Sequence, residues 1–263
     1  MSCAPMPGDR RCDLTEDAVL GGRLRLMQPK RGHRVGHDAI LLAAASPARA
    51  GERAVDLGAG VGAAGLALAA RVEGVVVTLV EIDAELAALA AANAERNGLA
   101  ARVRTAVLDL AAPARAFAAA GLAPESVARA LMNPPFNDPV RQRASPDRRR
   151  RLAHAGARGT LGAWIKTAAR LLRPSGTLTL IWRADGLADV LVVLAGGFGA
   201  VTVLPVHPKP AAPAIRVLVR AAKASRAPLA VLPGLVLNDR SGLPTQEAEA
   251  VLRAGAALPL AQI

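Results

Sequence analysis

The sequence predicts an α/β protein with a doubly wound, mostly parallel sheet of seven strands that ends in an antiparallel hairpin. Strand-like apolar runs alternate with helical segments from about residue 53 to residue 194, as in a parallel sheet with helices on both faces. The last two strand-like runs are separated only by a short proline-rich loop. Because that loop leaves no room for a crossover helix, the final pair is predicted to be antiparallel.

The predicted strands are short, and turn or cap residues bound most of them. They cover residues 54–57, 75–80, 102–108, 127–132, 177–182, 200–206 and 214–220. Residues 21–28 form a further strand or hairpin arm, and residues 235–237 a strand fragment in the C-terminal tail. Predicted helices cover residues 39–45, 63–71, 84–97, 161–172, 185–194 and 245–253. Asp38 and Asp83 are predicted to cap two of these helices, and Gly98 to end one. Pro174 to Gly176 are expected to form a turn.

Composition limits the class of protein and its partners. With 263 residues, 52% of them hydrophobic, the chain can bury a substantial core. A net charge of +12 indicates a polyanionic partner such as nucleic acid. Cys3 and Cys12 have no second cysteine pair and no histidine cluster nearby, so no disulfide framework and no metal site are expected. We expect a cytoplasmic monomer without a signal peptide or membrane span.

A glycine-rich turn, Asp56 to Gly62, follows the first buried strand and opens a helix. Glycines allow a sharp turn and close approach to a ligand, and a helix N-terminus favours polar or anionic groups. Residues 60–65 also satisfy the dinucleotide fingerprint, so the turn alone admits either NAD or S-adenosylmethionine. Glu81 ends the next strand, where an acid would hold the ribose hydroxyls of either cofactor.

Three features favour S-adenosylmethionine. Asp56 lies just before the first glycine, where its carboxylate could attract the ammonium group of a methionine moiety. Asp109 ends the third strand and could accept from an adenine amine, although it could also simply cap its loop. Asn133 to Phe136 follow the fourth strand and reach the same carboxyl edge of the sheet.

The Asn133-Pro134-Pro135-Phe136 loop is chemically unusual. Prolines have a fixed φ and no backbone N–H, so this stretch is stiff and offers only acceptors. Acceptors beside the flat face of Phe136 suit a planar group that carries an NH₂. The alternative is a structural Pro-Pro loop with a capping Asn and a core Phe.

Together, the glycine-rich turn, the Val80 to Asp83 stretch and the Asn-Pro-Pro-Phe loop resemble class I S-adenosylmethionine-dependent methyltransferases of the small-domain type. Residues 28–43 (QPKRGHRVGHDAILLA) resemble the N-terminal segment of bacterial valine-tRNA adenine-N(6) methyltransferases, which modify the adenosine beside the anticodon. The resemblance covers about residues 20 to 222. Phe136 stands where these tRNA enzymes often carry Tyr, and a Phe there also occurs in guanine-N(2) ribosomal RNA methyltransferases. His37 stands where Thr or Ser is common.

The resemblance implies a Rossmann-like methyltransferase fold, S-adenosylmethionine as the cofactor and RNA, most readily tRNA, as the partner. It implies that the cofactor is held by Asp56, Gly58, Gly60, Gly62, Glu81, Ile82 and Asp109, with Gly36 and Asp38 near its methionine end. Asn133, Pro134 and Phe136 would hold the target base. The corresponding organisation is a flexible terminus (1–20), a cap segment near the cofactor (21–50), a methyltransferase domain (51–224) and a C-terminal extension (225–263).

A basic segment directly follows the Asn-Pro-Pro-Phe loop. Residues 141–158 contain seven arginines and one acid, a net charge of +6, which fits docking of phosphates at the mouth of a site. A solvated helix face is the alternative. The predicted RNA-binding residues are Arg141, Arg143, Arg148, Arg149, Arg150, Arg151, Lys30 and Lys209.

Several functions remain open at this point. The first is methylation of an exocyclic base amine, adenine-N(6) in tRNA or guanine-N(2) in ribosomal RNA. A glutamine side-chain amide also presents a planar NH₂, so protein methylation is a second possibility. A non-catalytic RNA-binding module and an NAD enzyme are disfavoured, the latter because no His, Tyr or Lys is placed to relay a proton.

Overall fold

The computed structural model describes residues 14–30, 35–135 and 146–262, and describes the backbone alone from 146 to 158. The side chains of Arg148, Arg149, Arg150 and Arg151 therefore lie outside the description, as do Cys3, Cys12, Phe136, Arg141 and Arg143 as a whole.

The described chain alternates strands with helices over most of its length. The strands are β1 (Leu14–Val19), β2 (Leu24–Pro29), β3 (Arg53–Leu57), β4 (Val76–Glu81), β5 (Val103–Val107), β6 (Val127–Met132), β7 (Leu172–Arg183), β8 (Phe198–His207), β9 (Arg216–Lys223), β10 (Ala230–Val231) and β11 (Leu235–Val236). The helices are α1 (His37–Ala45), α2 (Ala63–Arg71), α3 (Ala84–Arg96), α4 (Ala114–Ala119), α5 (Pro146–Leu171), α6 (Leu187–Leu194) and α7 (Gln246–Leu252).

The main sheet has the order β10-β8-β9-β7-β6-β3-β4-β5, and β11 also pairs with β8. β9 runs antiparallel to both β7 and β8, whereas β3 to β7 are paired parallel, so the predicted α/β class and the antiparallel final pair are confirmed. The predicted number of seven strands is wrong, because the described sheet has nine. The two additional strands come from the C-terminal extension, which supplies backbone partners to the otherwise open edge of β8.

A separate two-stranded hairpin precedes the main sheet. β1 pairs antiparallel with β2 from Leu14 opposite Pro29 to Val19 opposite Leu24. Residues 14–19, which were expected to belong to the flexible terminus (1–20), thus form a strand. Asn93 of α3 fastens this hairpin to the domain. Its amide accepts from the Met27 N–H at 2.8 Å and donates to the Met27 carbonyl at 3.0 Å, as a neighbouring strand would.

Two element boundaries differ from the sequence-based prediction by more than two or three residues. Helix α5 begins at Pro146 rather than at residue 161, and proline suits a first helical position because its missing N–H would have no partner there. The expected turn at Pro174 to Gly176 lies inside β7, where the pairing with β6 shifts register between Val127 and Arg129.

The predicted helix caps have different outcomes. Asp83 caps α3 as predicted, accepting from the Glu85 and Leu86 N–H groups. Asp38 does not cap α1: the N-cap position is Gly36, and Asp38 lies in the first helical turn. Its carboxylate contacts Arg216 instead.

The core divides into two clusters, and the C-terminal extension contributes to one of them. Leu235, Val251, Leu258 and Leu260 are buried in the cluster that also contains α1 and α2. The extension therefore packs on the domain. Among the described residues, no helix is both long and apolar enough to cross a membrane.

Candidate active site

Two cavities meet at the carboxyl edge of the parallel strands. The first, of about 560 Å³, is lined by residues that include Gly36, Asp38, Asp56 and Gly60. The second, of about 500 Å³, is lined by the end of β4, the loop after β5 and the prolines after β6. Gly58 and Asn133 line both cavities. The glycine-rich turn and the Asn-Pro-Pro loop therefore face one crevice.

The glycine-rich turn depends on residues without a side chain. Gly58, Gly60 and Gly62 have φ values of 68°, 56° and 89°, in the left-handed region that favours glycine. A Cβ at Gly58 would also lie 2.2 Å from the ring of Trp164, which is closer than any side chain allows. Glycine at position 58 thus lets the Trp164 ring pack against the backbone of the turn, and of the three glycines only at Gly60 would an added Cβ meet nothing within 4 Å.

Glu81 ties the end of β4 to this turn. Its carboxylate accepts from the Gly60 N–H at 2.8 Å, and from the Ile82 and Asp83 N–H groups at 2.9 and 3.0 Å. The side chain is buried and lines the second cavity. A carboxylate has about four acceptor sites, so these three bonds leave capacity for a ligand hydroxyl.

Asp56 is a buried acid of the site whose pKa is shifted by its surroundings. It is only 2% exposed, and its Oδ2 accepts from the Gly65 N–H at 2.8 Å. Burial raises the pKa of Asp56 to about 7; the Gly65 hydrogen bond lowers it, and the charge of Glu81 raises it. A cation in the first cavity would favour the ionised form of this carboxylate.

The other residues predicted for the adenosine end lie around the second cavity. Ile82 is 63% exposed, which is unusual for a large apolar side chain and leaves a surface on which a flat ring can pack. Asp109 is exposed, and its Oδ1 accepts from the Ala111 N–H at 2.8 Å. The loop-capping role considered for Asp109 is thus present, and its contact with adenine stays a prediction.

Asn133 presents an acceptor that the described protein does not use. Its Oδ1 is buried and has no hydrogen-bond partner among the described residues. Leaving a buried polar atom unsatisfied costs about 1–3 kcal/mol, so such an atom calls for an explanation. A ligand that donates a hydrogen bond at the junction of the two cavities would supply one.

Sequence reasoning missed two residues of this crevice. Trp164, from α5, forms one wall of the second cavity beside Gly58. Arg216, at the start of β9, lines the first cavity, where its Nε donates to Asp38 Oδ2 at 2.9 Å. Trp164 is one of only two tryptophans, which was an available signal. No comparable sequence signal exists for Arg216, because arginines are common throughout the chain.

The predicted basic residues fall at several places. Lys209 is exposed in the loop between β8 and β9, and Val206 and Ile215, close to the ends of that loop, line the first cavity. Lys30 is exposed at the end of β2. The backbone of residues 148–151 belongs to α5, about 20 Å along that helix from Trp164 at ~1.5 Å per residue.

Comparisons with known proteins agree with this geometry. A family model described as "methyltransferase small domain" matches residues 33–209. A tRNA1(Val) (adenine(37)-N6)-methyltransferase from Enterobacter is 34% identical over 154 residues, which cover 56% of this chain and 58% of that protein. An enzyme of the same name from Bacteroides fragilis is 30% identical over 191 residues, covering 71% of this chain and 76% of that protein.

Solved structures show the same fold. A crystal structure described as a predicted O-methyltransferase from Agrobacterium tumefaciens is 32% identical and superposes with a TM-score of 0.71, covering 84% of this chain and 98% of that one. TrmN from Thermus thermophilus superposes with a TM-score of 0.51 at 22% identity, covering 70% and 48% of the two chains. The predicted Rossmann-like methyltransferase fold is therefore confirmed.

The sheet order, the glycine-rich turn and the family match lead to one assignment. The chain belongs to the methyltransferase small domain family.

Proposed function

We propose that this protein transfers a methyl group from S-adenosylmethionine to N6 of an adenine in tRNA, beside the anticodon. The observation that carries this proposal is the buried Oδ1 of Asn133 at the junction of the two cavities. This oxygen has no hydrogen-bond partner among the described residues. Pro134, buried directly after it, contributes a carbonyl but no N–H. The pair therefore presents acceptors to a group that has hydrogens to donate.

The residues of the crevice fit the cofactor. When bound, S-adenosylmethionine supplies an electrophilic methyl group on a sulfonium centre. Asp56 would attract its ammonium group, and Gly58 and Gly60 would leave room beside the turn. Glu81 would accept from ribose hydroxyls, and Ile82 would pack on the adenine ring.

Asn133 and Pro134 act on the nucleophile. The lone pair of an exocyclic amine is delocalised into its ring, which makes the amine a poor nucleophile. If Asn133 Oδ1 and the Pro134 carbonyl accept its two N–H bonds, the nitrogen is favoured in a pyramidal form with its lone pair directed away from them. The same acceptors stabilise the positive charge that develops on nitrogen. The proton leaves only after the amine becomes cationic, so no early general base is required.

This chemistry distinguishes an amine from a hydroxyl substrate, which matters because one similar structure is described as a predicted O-methyltransferase. A hydroxyl has only one hydrogen to donate and must lose it to become a good nucleophile. An asparagine amide cannot take that proton. His37 also lines the first cavity and would be the candidate base in an oxygen methyltransferase.

Three observations support tRNA as the substrate. Two relatives that are 30–34% identical carry names that specify adenine(37)-N6 of tRNA1(Val). The sequence places a net charge of +6 in residues 141–158, directly after the Asn-Pro-Pro-Phe loop. Lys209 adds an exposed cation in the loop between β8 and β9. Phe136, which lies outside the described residues, would stack an extruded base, a contact worth ~1–3 kcal/mol.

The decisive experiment incubates the protein with radiolabelled S-adenosylmethionine and, separately, total tRNA, ribosomal RNA and protein extract. Labelled RNA is digested to nucleosides. We expect N6-methyladenosine from the tRNA fraction. Label in N2-methylguanosine of ribosomal RNA, in a glutamine amide or on oxygen would each refute the tRNA adenine assignment and identify the actual substrate class.

Asn133→Ala tests the role of the unpartnered acceptor. We expect the rate of methyl transfer to fall by at least ~10²-fold, while binding of S-adenosylhomocysteine stays intact. His37→Asn is the matched comparison, and its rate should stay within a few-fold of wild type. The amine mechanism would be rejected if the effects of these two substitutions were reversed.

A further inference from the structure

We propose that Arg216 binds the carboxylate of the methionine moiety of the cofactor and that Asp38 positions the Arg216 guanidinium for this task. The proposal rests on the proposed cofactor crevice but not on the choice of RNA substrate. It assigns the anionic end of the cofactor, for which the sequence offered no cationic partner.

The contacts that hold Arg216 in position include two hydrogen bonds to described residues. Its Nε donates to Asp38 Oδ2 at 2.9 Å, and its Nη1 donates to the Ile215 carbonyl at 3.1 Å. Both charged side chains are partly buried, at 30% exposure for Arg216 and 26% for Asp38. Because a guanidinium is planar and rigid, two contacts at different nitrogens fix its plane as well as its place.

The surrounding charges fit an amino acid. The methionine moiety carries one ammonium group and one carboxylate. Asp56, on the wall of the same cavity, is suited to the ammonium group. Among the described residues, Asp38 and Asp56 are the acids that line this cavity, and Arg216 is the permanently charged cation that lines it. A guanidinium presents five N–H donors in a fork that matches a carboxylate.

A neighbouring arginine provides an internal comparison. Arg183, at the end of β7, is the cross-strand partner of Arg216 on β9. It has its own carboxylate, with its Nε donating to Asp185 Oδ1 at 2.8 Å. Arg183 does not line either of the two cavities described above. The two arginines thus lie opposite each other on paired strands and each contacts an aspartate, but only Arg216 lines the first cavity.

The alternative is that the Arg216–Asp38 pair only fastens α1 to β9. In that case removal of Arg216 would loosen the packing of α1 beside the first cavity and lower the affinity for every cofactor-like ligand by a similar factor. Ligands that differ only at the methionine end therefore separate a binding role from a purely structural one.

The test measures affinity by isothermal titration calorimetry for three compounds. S-adenosylhomocysteine carries both the ammonium and the carboxylate, decarboxylated S-adenosylhomocysteine lacks the carboxylate, and 5′-methylthioadenosine lacks both. For Arg216→Ala we expect affinity for S-adenosylhomocysteine to fall ~10- to 100-fold, while affinity for the other two changes less than about twofold. Arg216→Lys should recover part of the loss, because it keeps the charge but not the fork. Arg183→Ala, the matched control, should bind all three compounds as the wild-type protein does.

Each other result overturns the assignment. Equal weakening of all three ligands by Arg216→Ala would show a structural role, and unchanged affinities would show none. Equal effects of Arg183→Ala and Arg216→Ala would show a general charge effect. If Arg216→Ala does not fold, Arg216→Lys carries the same comparison. Failure of wild-type protein to bind S-adenosylhomocysteine would instead refute the cofactor crevice itself, and the proposed function with it.

Discussion

Replacing Asp56 with asparagine should remove a pH dependence from the stability of the ligand-free protein. Burial raises the pKa of Asp56 from 3.8 to about 7 in the folded state. Between these values the folded protein holds a proton that the unfolded chain has lost, so stability decreases as pH rises from about 4 to 7 and is level above. A shift of about three pKa units corresponds to a decrease on the order of 4 kcal/mol. The asparagine side chain would still accept from the Gly65 N–H and carries no charge to bury.

The same carboxyl group should make cofactor affinity depend on pH in the opposite direction. An ammonium group beside Asp56 favours the ionised carboxylate, so binding is coupled to loss of the proton. Affinity for S-adenosylhomocysteine should therefore increase by up to about tenfold per pH unit below pH 7 and level off above it. 5′-Methylthioadenosine has no ammonium group, and its affinity should lack this slope.

The assay compares urea unfolding of wild type and Asp56→Asn at several values between about pH 5.5 and 8.5, and the difference between the two proteins cancels the titration of other groups. Calorimetric titrations with the two ligands follow over the same range. His37→Asn is the control, because it removes a second ionisable side chain from the lining of the same cavity. Parallel stability curves for wild type and Asp56→Asn would refute the raised pKa. A pH slope that survives in Asp56→Asn but disappears in His37→Asn would assign the titration to the histidine.

Three further predictions concern other parts of the molecule. Changing Arg148, Arg149, Arg150 and Arg151 into glutamates should weaken tRNA binding in a filter-binding assay. The slope of log affinity against log salt concentration should become shallower by ~0.9 for each phosphate that is no longer neutralised. An unchanged slope would show that this segment does not contact the tRNA. Tryptophan fluorescence should change when S-adenosylhomocysteine binds; Trp164→Phe should abolish the change, because Trp164 lines the second cavity, whereas Trp182→Phe should preserve it. Gly65→Ala should lower the free energy of unfolding, measured by chemical denaturation, by ~1–3 kcal/mol, because the added Cβ would lie 2.2 Å from a methyl of the buried Leu79. Gly162→Ala, at a position with open space around it, should instead raise that free energy by ~0.4–1 kcal/mol.

Most of the main sheet was predictable because its strands carry a local signal. The β-branched run of β4 and the apolar run of β6 are continuous, as expected for strands buried on both faces. β10 is two residues long, too short for any periodicity to show, and it forms where the C-terminal extension pairs with the edge of β8. β11 lies within the strand fragment predicted for residues 235–237, so that prediction is confirmed. The Leu14–Val19 strand contains two acids and looks irregular by composition.

The residues of the candidate site likewise differ in whether they carry a local sequence signal. Gly58, Gly60 and Glu81 could be predicted because a tight turn and a strand end demand particular residue types within a short stretch of sequence. Arg216 in the site could not, nor could Asn93 at the N-terminal hairpin, because their roles arise from contacts with residues 178 and 66 positions away in the chain. Their side chains become informative only after the sheet has brought distant segments together.

Asp38 shows how a wrong local prediction can point to a functional contact. Its sequence position favours a helix cap, yet the backbone places Gly36 there and directs the Asp38 carboxylate towards β9. The family match ends at residue 209, whereas the first cavity extends to Arg216 and to Leu237 in the C-terminal extension. The glycine-rich turn and Asn133 lie within the matched region, but part of the wall at the proposed methionine end does not. Discrimination at that end of the crevice is therefore expected to depend on segments that the family core does not contain.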